Sequence, residues 1–120
     1  MKTILLADDE ANLRLLVHTT LDDPAYRILE AADGTAALAL ARQEQPDLLV
    51  LDWMMPGLTG PEVAKALRQD VQTARIPIIM LTAKGQEHDK EQGCTLGTHA
   101  YLVKPFSPLE LLEKVQEVLG

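Results

Sequence analysis

Short apolar runs alternate with amphipathic segments along the whole chain. Ile4-Leu5-Leu6-Ala7 is the first run, and Tyr26-Arg27-Ile28-Leu29 is a second, weaker one. Leu48-Leu49-Val50-Leu51 is the third. The fourth runs from Ile76 to Leu81 with Pro77 near its start, and Ala100-Tyr101-Leu102-Val103 is the fifth. Runs one, three and four are apolar at successive positions and therefore on both faces, the pattern of parallel strands covered by helices on either side. Between the runs lie helical stripes. Leu13, Leu16, Val17, Thr20 and Leu21 follow i, i+3, i+4 spacing, and Pro24 ends that segment. Thr35 to Arg42 is Ala-rich, preceded by the turn signal Asp33-Gly34 and stopped by Pro46. Thr59-Gly60-Pro61-Glu62 is a capping box, with Val63, Ala66 and Leu67 on the face that follows. Ser107-Pro108-Leu109-Glu110 is a second, leading into a stripe of Leu109, Leu112, Val115 and Leu119. Gln86 to Leu96 is polar, contains Gly93 and has few apolar anchors, so a short, mobile helix is expected there.

Five strands alternating with five helices predict an α/β domain. An open, doubly wound parallel sheet fits the length; a barrel of eight units needs about 250 residues. The composition changes this picture little: 47% apolar and 24% charged residues are ordinary for a globular chain. The charge says more. Eleven Lys and Arg against eighteen Asp and Glu leave a net charge of −7, which gives no general attraction toward DNA or RNA. One cysteine, Cys94, excludes an internal disulfide and a multi-cysteine metal site, and it reads as a helix-face filler. No apolar run is long enough to span a membrane. The apolar start meets two acids too soon for a signal peptide. A reducing, cytoplasmic setting is the expectation.

Ligands of open parallel sheets bind at the carboxyl ends of the strands. There the first run delivers Asp8 and Asp9, the third Asp52, the fourth Thr82 and the fifth Lys104. The second, ending Glu30-Ala31-Ala32, contributes less clearly. Carboxylates brought together repel, and a divalent cation is the simple compensation. An all-oxygen donor set with room for water and phosphate suits Mg²⁺. Lys104 adds a point charge for an anion, and Thr82 a hydroxyl that can donate to a phosphoryl oxygen. The set describes a site for phosphoryl transfer to a carboxylate, with Asp52 as nucleophile and Asp8 and Asp9 as metal ligands. Taken singly each residue has a plain structural reading: the Asp pair as a helix cap, Asp52 and Thr82 as turn or strand-end groups, Lys104 as a solvated charge.

Together these residues resemble the receiver (CheY-like) domain of bacterial two-component response regulators. The resemblance runs the whole length, through Ile4-Leu5-Leu6-Ala7-Asp8-Asp9-Glu10, Ala32-Asp33-Gly34 and Pro46-Asp47-Leu48-Leu49. It continues through Leu51-Asp52-Trp53-Met54-Met55-Pro56-Gly57, Pro77 to Ala83, and Tyr101-Leu102-Val103-Lys104-Pro105-Phe106. It implies that residues 1–120 are one receiver domain with strand order 2-1-3-4-5 between five helices. It implies that Asp52 accepts a phosphoryl group from a sensor histidine kinase or a phosphotransfer protein. Asp9, Asp52 and the backbone carbonyl of Met54 would hold Mg²⁺, with Asp8 acting largely through a metal-bound water. Lys104 would hold a phosphoryl oxygen. Thr82 and Tyr101 would move together and remodel the surface of the fourth helix, fifth strand and fifth helix. That surface would control a downstream protein or a linked output domain. The implied protein is a signalling switch that catalyses only its own phosphorylation and dephosphorylation. The Lys104-Pro105 bond is expected to be cis.

Other positions qualify the resemblance. His99 and Ala100 stand where the family commonly carries two acids, which puts in doubt a dimer paired through those charges; a weak or phosphorylation-dependent dimer is the remaining form. Leu15, off the first helix's stripe, is either a kinase-docking anchor or an isolated surface leucine. Trp53 either covers the site or packs. Met54 and Lys84 occupy positions that in this family influence loss of the phosphoryl group, and an apolar Met54 implies slow loss. Three alternatives compete. A haloacid-dehalogenase-like hydrolase would want an acid at position 54. A nucleotide or flavin module would want a glycine-rich loop after the first strand, where two acids stand instead. A degenerate receiver would lack one of the five key side chains, and all are present. The end at Gly120 is compatible with a stand-alone receiver or with the receiver of a longer regulator.

Overall fold

The computed structural model describes residues 1–83 and 100–119. The described elements are β1 (Lys2–Ala7), α1 (Ala11–Thr20), β2 (Tyr26–Ala31), α2 (Gly34–Glu44), β3 (Leu48–Asp52) and α3 (Gly60–Arg68). They continue with β4 (Ile78–Ala83), β5 (Ala100–Lys104) and a last helix, α4 (Pro108–Leu119). All strand pairs are parallel, in the order β2-β1-β3-β4-β5. Four helices rather than the expected five flank the sheet among the described residues. The helix expected over Gln86–Leu96, with Lys84, Cys94 and His99, lies outside them.

The sheet divides the interior into two apolar layers because alternate strand residues point to opposite faces. Leu5, Ala7, Leu49, Leu51, Ile78 and Met80 face α2 and α3, which bury Ala37, Ala41, Val63, Ala64 and Leu67 against them. Ile4, Leu6, Leu48, Val50, Ile79, Leu81 and Leu102 face α1 and α4, which bury Val17, Leu21, Leu111 and Val115. β3 is buried at every position, as expected of a central strand covered on both sides.

Both capping boxes form. Thr59 Oγ1 accepts from the Glu62 amide at 3.3 Å while Glu62 Oε1 accepts from the Thr59 amide at 2.9 Å. Ser107 and Glu110 exchange the same pair at 3.1 and 3.2 Å. Two stripes differ from expectation. On α4 the buried positions are Leu111 and Val115, whereas Leu109 is 64% exposed. Of the expected stripe Val115 is buried and Leu112 and Leu119 are half-buried against the layer of Ile79, Leu81 and Leu102, so Leu109 alone falls off it, and Leu111 takes a fully buried place that the stripe did not include. On α1, Leu16 is exposed with Leu15, so the stripe is narrower than its spacing implied.

The turn after β3 is fixed by close packing on the start of α2. The Gly34 amide donates to the Pro56 carbonyl at 3.1 Å. A Cβ on Gly34 would lie 1.9 Å from the Leu58 carbonyl oxygen. Gly57, at φ 80°, lies against Thr35. Ala ordinarily outscores Gly in a helix, so the contact reverses the usual sign. Gly34→Ala is expected to destabilise the chain by about 1–3 kcal/mol in urea unfolding; equal or greater stability would show that the turn yields freely.

Candidate functional site

The strand register builds the site. Ala7 pairs with Leu51, so Asp8 and Asp52 leave the sheet side by side on its two central strands. Asp52 pairs with Leu81, and Leu81 with Leu102. Thr82 thus stands one step beyond that row and Lys104 two steps beyond, on the edge strand. The lysine's length covers the difference. Its Nζ lies 3.0 Å from Asp8 Oδ2 and 3.0 Å from Asp52 Oδ1. Lys104 therefore ties β5 to β1 and β3 across the end of β4. One carboxylate oxygen from each of Asp8, Asp9 and Asp52 lies within 4.8 Å of the other two. Asp8 and Asp52 are buried and Asp9 is exposed, so the cluster opens to solvent on one side.

Among the described residues one lysine faces three carboxylates, and the electrostatics follow from that ratio. Burial above all pushes the Asp52 carboxyl up to about 6 from 3.8. The charges of Asp8 and Asp9 add to the rise, and the hydrogen bond and charge of Lys104 oppose it. Burial also works against the Lys104 ammonium, but its hydrogen bonds to Asp52 and Asp8 and their charges outweigh this and hold its pKa above the ordinary value. Thr82 is fully buried, and its Oγ1 finds no hydrogen-bond partner among the described residues. An orphaned buried hydroxyl costs about 1–3 kcal/mol, so it is a group for which a bound acceptor would be welcome.

The donor set fits Mg²⁺. It is all oxygen, it is short of positive charge, and its open side leaves room for water and a phosphate. Asp8, Asp9, Asp52 and Lys104, expected at one edge from the strand ends, are brought together there. Thr82 is adjacent but buried. Tyr101 is half-buried three residues before Lys104 and packs against the layer under α2 and α3, away from the carboxylates. Met54 lies in the turn after β3 with its side chain 58% exposed. Trp53 is a packing residue of the core. The Lys104-Pro105 bond is cis, as expected.

Two residues at the site were not singled out from the sequence. Arg14 on α1 donates from Nη1 to the Asp8 carbonyl at 2.7 Å and from Nε to Glu30 Oε1 at 3.2 Å. Glu30 is the penultimate residue of β2 and lies beside this loop, and its other oxygen lies 2.7 Å from His18 Nδ1. The available signal was the i, i+4 pair Arg14 and His18 on one helix, with a lone acid at the end of the second strand.

Comparison with known proteins agrees with this geometry. The family model of the response regulator receiver domain matches residues 4–116. The phosphate regulon transcriptional regulatory protein PhoB of Pseudomonas aeruginosa is 48% identical over 118 residues, covering 98% of this chain and 52% of that protein. The alkaline phosphatase synthesis transcriptional regulatory protein PhoP of Bacillus subtilis is 47% identical over 118 residues, covering 98% of this chain and 48% of that protein. The chain thus spans about half the length of the curated relatives it matches. Among solved structures, the chemotaxis response regulator CheY4 of Vibrio cholerae superposes with a TM-score of 0.92 at 40% identity, covering 99% of both chains. No helix among the described residues is long and apolar enough to cross a membrane. By sequence match, strand order and the arrangement of its acidic edge, the chain belongs to the response regulator receiver domain family.

Proposed function

We propose that residues 1–120 form a receiver domain in which Asp52 accepts a phosphoryl group from a phosphohistidine of a sensor kinase or phosphotransfer protein. The observation that carries this reading is the convergence of Asp8, Asp9, Asp52 and Lys104 at one sheet edge, beside a Thr82 hydroxyl that has no partner among the described residues. An Asp52 carboxylate oxygen forms the new O–P bond as the donor's N–P bond breaks, and the leaving imidazole nitrogen keeps the electron pair. Lys104 then holds a phosphoryl oxygen with the ammonium it now shares between Asp52 and Asp8. Thr82 donates its O–H to another phosphoryl oxygen. Mg²⁺, held by Asp9, Asp52 and the Met54 carbonyl with Asp8 nearby, would neutralise charge on the carboxylates and the phosphoryl group. Movement of Thr82 and Tyr101 passes the change to the face formed by β5 and its flanking helices. The output is a bound target or a linked domain. The transcriptional regulatory relatives PhoB and PhoP favour a transcriptional output through a linked domain.

The kinase contact is proposed for α1. Leu15 and Leu16 are exposed there, beside a cavity of about 330 Å³ lined by Glu10, Leu13, Leu16, Lys104, Pro105 and Phe106. An apolar helix laid on this face would bring its histidine beside Asp52.

Incubation with acetyl phosphate and Mg²⁺ is expected to add one phosphoryl group, about 80 Da by intact mass. Asp52→Asn should take up none. An adduct of the same size on Asp52→Asn would overturn the assignment of the acceptor.

The raised pKa of Asp52 predicts a pH dependence of stability in the metal-free chain. Folding holds this proton to a higher pH than the unfolded chain does. The stabilisation is therefore fully present below the unfolded value of 3.8 and is lost as pH rises through about 6. With Mg²⁺ chelated, Asp52→Asn should be more stable than the native chain at pH 7.5 by about 1 kcal/mol after solvent screening. Denaturant midpoints should converge as the pH falls from 6 toward 4, and a constant gap across that range would count against the assignment.

Thr82→Val removes the buried hydroxyl that has no partner among the described residues. Its unfolding free energy should hold or rise by about 1 kcal/mol, while the fluorescence response of Trp53 to acetyl phosphate weakens. A marked loss of stability would mean that the hydroxyl has a partner in solution.

A further inference from the structure

Asp8 is bound at every polar atom. Its amide donates to the Ala31 carbonyl at 3.1 Å, its Oδ1 accepts from the Glu10 amide at 2.8 Å, and its Oδ2 takes Lys104. Its carbonyl oxygen accepts from Arg14 Nη1 at 2.7 Å. That last bond has a reach the others lack. The Asp8 carbonyl belongs to the planar peptide that joins Asp8 to Asp9, so fixing its direction fixes the plane from which Asp9 departs. Asp9 is exposed, and neighbouring side chains do little to enclose its carboxylate. The usual device for ordering a helix start is also missing: Glu10, the N-cap of α1, makes no side-chain capping bond.

Arg14 is itself held. Its Nε lies on Glu30 Oε1, its side chain is only 20% exposed, and the second Glu30 oxygen is taken by His18 one turn further along α1. The guanidinium's fork lets one side chain hold the carboxylate of β2 and the carbonyl of the acidic loop at once, which an ammonium cannot do in the same geometry. An isolated surface ion pair contributes little, but this one is directed at backbone that carries two acids of the site.

We infer that Arg14, clamped by Glu30, is a positioning residue for the cation site: it sets the Asp8–Asp9 peptide so that both carboxylates meet Asp52. The inference rests on the Mg²⁺ reading above, and deepens it by naming the outer partners that orient the ligands.

The test is a Mg²⁺ titration followed by Trp53 fluorescence, with phosphorylation by acetyl phosphate in parallel, on the native chain, Arg14→Met, Arg14→Lys and Glu30→Gln. Arg14→Met keeps an apolar stem and loses every donor. Its apparent Mg²⁺ dissociation constant should rise about tenfold, as for other outer-sphere partners. The Mg²⁺ concentration for half-maximal phosphorylation should rise by the same factor, with a much smaller fall in the maximal rate. Arg14→Lys should recover only part of the affinity. Glu30→Gln should weaken Mg²⁺ binding less than Arg14→Met and add nothing to it in the double variant, because it acts through the arginine. In the metal-free chain, amide exchange at Asp9 and Glu10 should be faster in Arg14→Met. Unchanged Mg²⁺ affinity in Arg14→Met, or full additivity with Glu30→Gln, would overturn the inference while leaving the metal reading intact. A native chain with no response to Mg²⁺ would overturn the metal reading, and this inference with it.

Discussion

Everything at the carboxyl edge of the sheet depends on how three carboxylates are kept together around one ammonium. Like charges at this spacing repel strongly in a partly buried site, where Asp9 is the exposed member. Lys104 answers the repulsion for two of the three, from the far side of β4. The order β2-β1-β3-β4-β5 is what makes that reach meaningful. The two buried acids come from the central strands, the lysine comes from the edge strand, and Thr82 stands near the end of the strand between them. A single side chain thus couples the edge strand to both central strands through charge and hydrogen bonds.

Such a cluster needs a frame that does not relax. The two apolar layers supply it, with β1, β3 and β4 buried almost throughout. The turn after β3 is equally constrained. A Cβ on Gly60 would meet the Asp52 carbonyl oxygen at 2.4 Å, and the Gly60 amide donates to the Trp53 carbonyl at 2.8 Å. The start of α3 is therefore packed directly on the backbone of the central acid. The capping box of Thr59 and Glu62 fixes where that helix begins, and so where the turn must end.

Most of this was legible in the sequence because it is written locally. Consecutive apolar residues marked β1, β3 and β4, and the polar residue after each run marked the edge where ligands bind. Both capping boxes stood in plain four-residue patterns. What was not legible depends on the third dimension. Leu109 and Leu111 are equally apolar, and only the rotation at which α4 enters from β5 decides which is buried. Leu16 fits the stripe of α1 by spacing, yet α1 and α4 together do not cover it. Arg14 and Glu30 lie 16 residues apart, and their bond exists because β2 pairs with β1 on the side where α1 begins. Electrostatic partners across elements leave almost no trace in periodicity, whereas apolar faces leave a strong one.

The site's imbalance bears on how it can work as a switch. Asp52 is held near the point of protonation, Lys104 is divided between two acids, and Thr82 has no partner among the described residues. Each of these is an unfavourable or shared interaction in the resting chain. On the proposed reading, phosphorylation takes up the carboxylate of Asp52 and supplies acceptors to Lys104 and Thr82, so the drive for rearrangement comes from relieving costs already built into the fold. A site with every polar group satisfied would bind the same anion more weakly and gain nothing by moving. The resting frustration is then what lets one small modification bias the position of Thr82, and through β4 and β5 the surface beyond it.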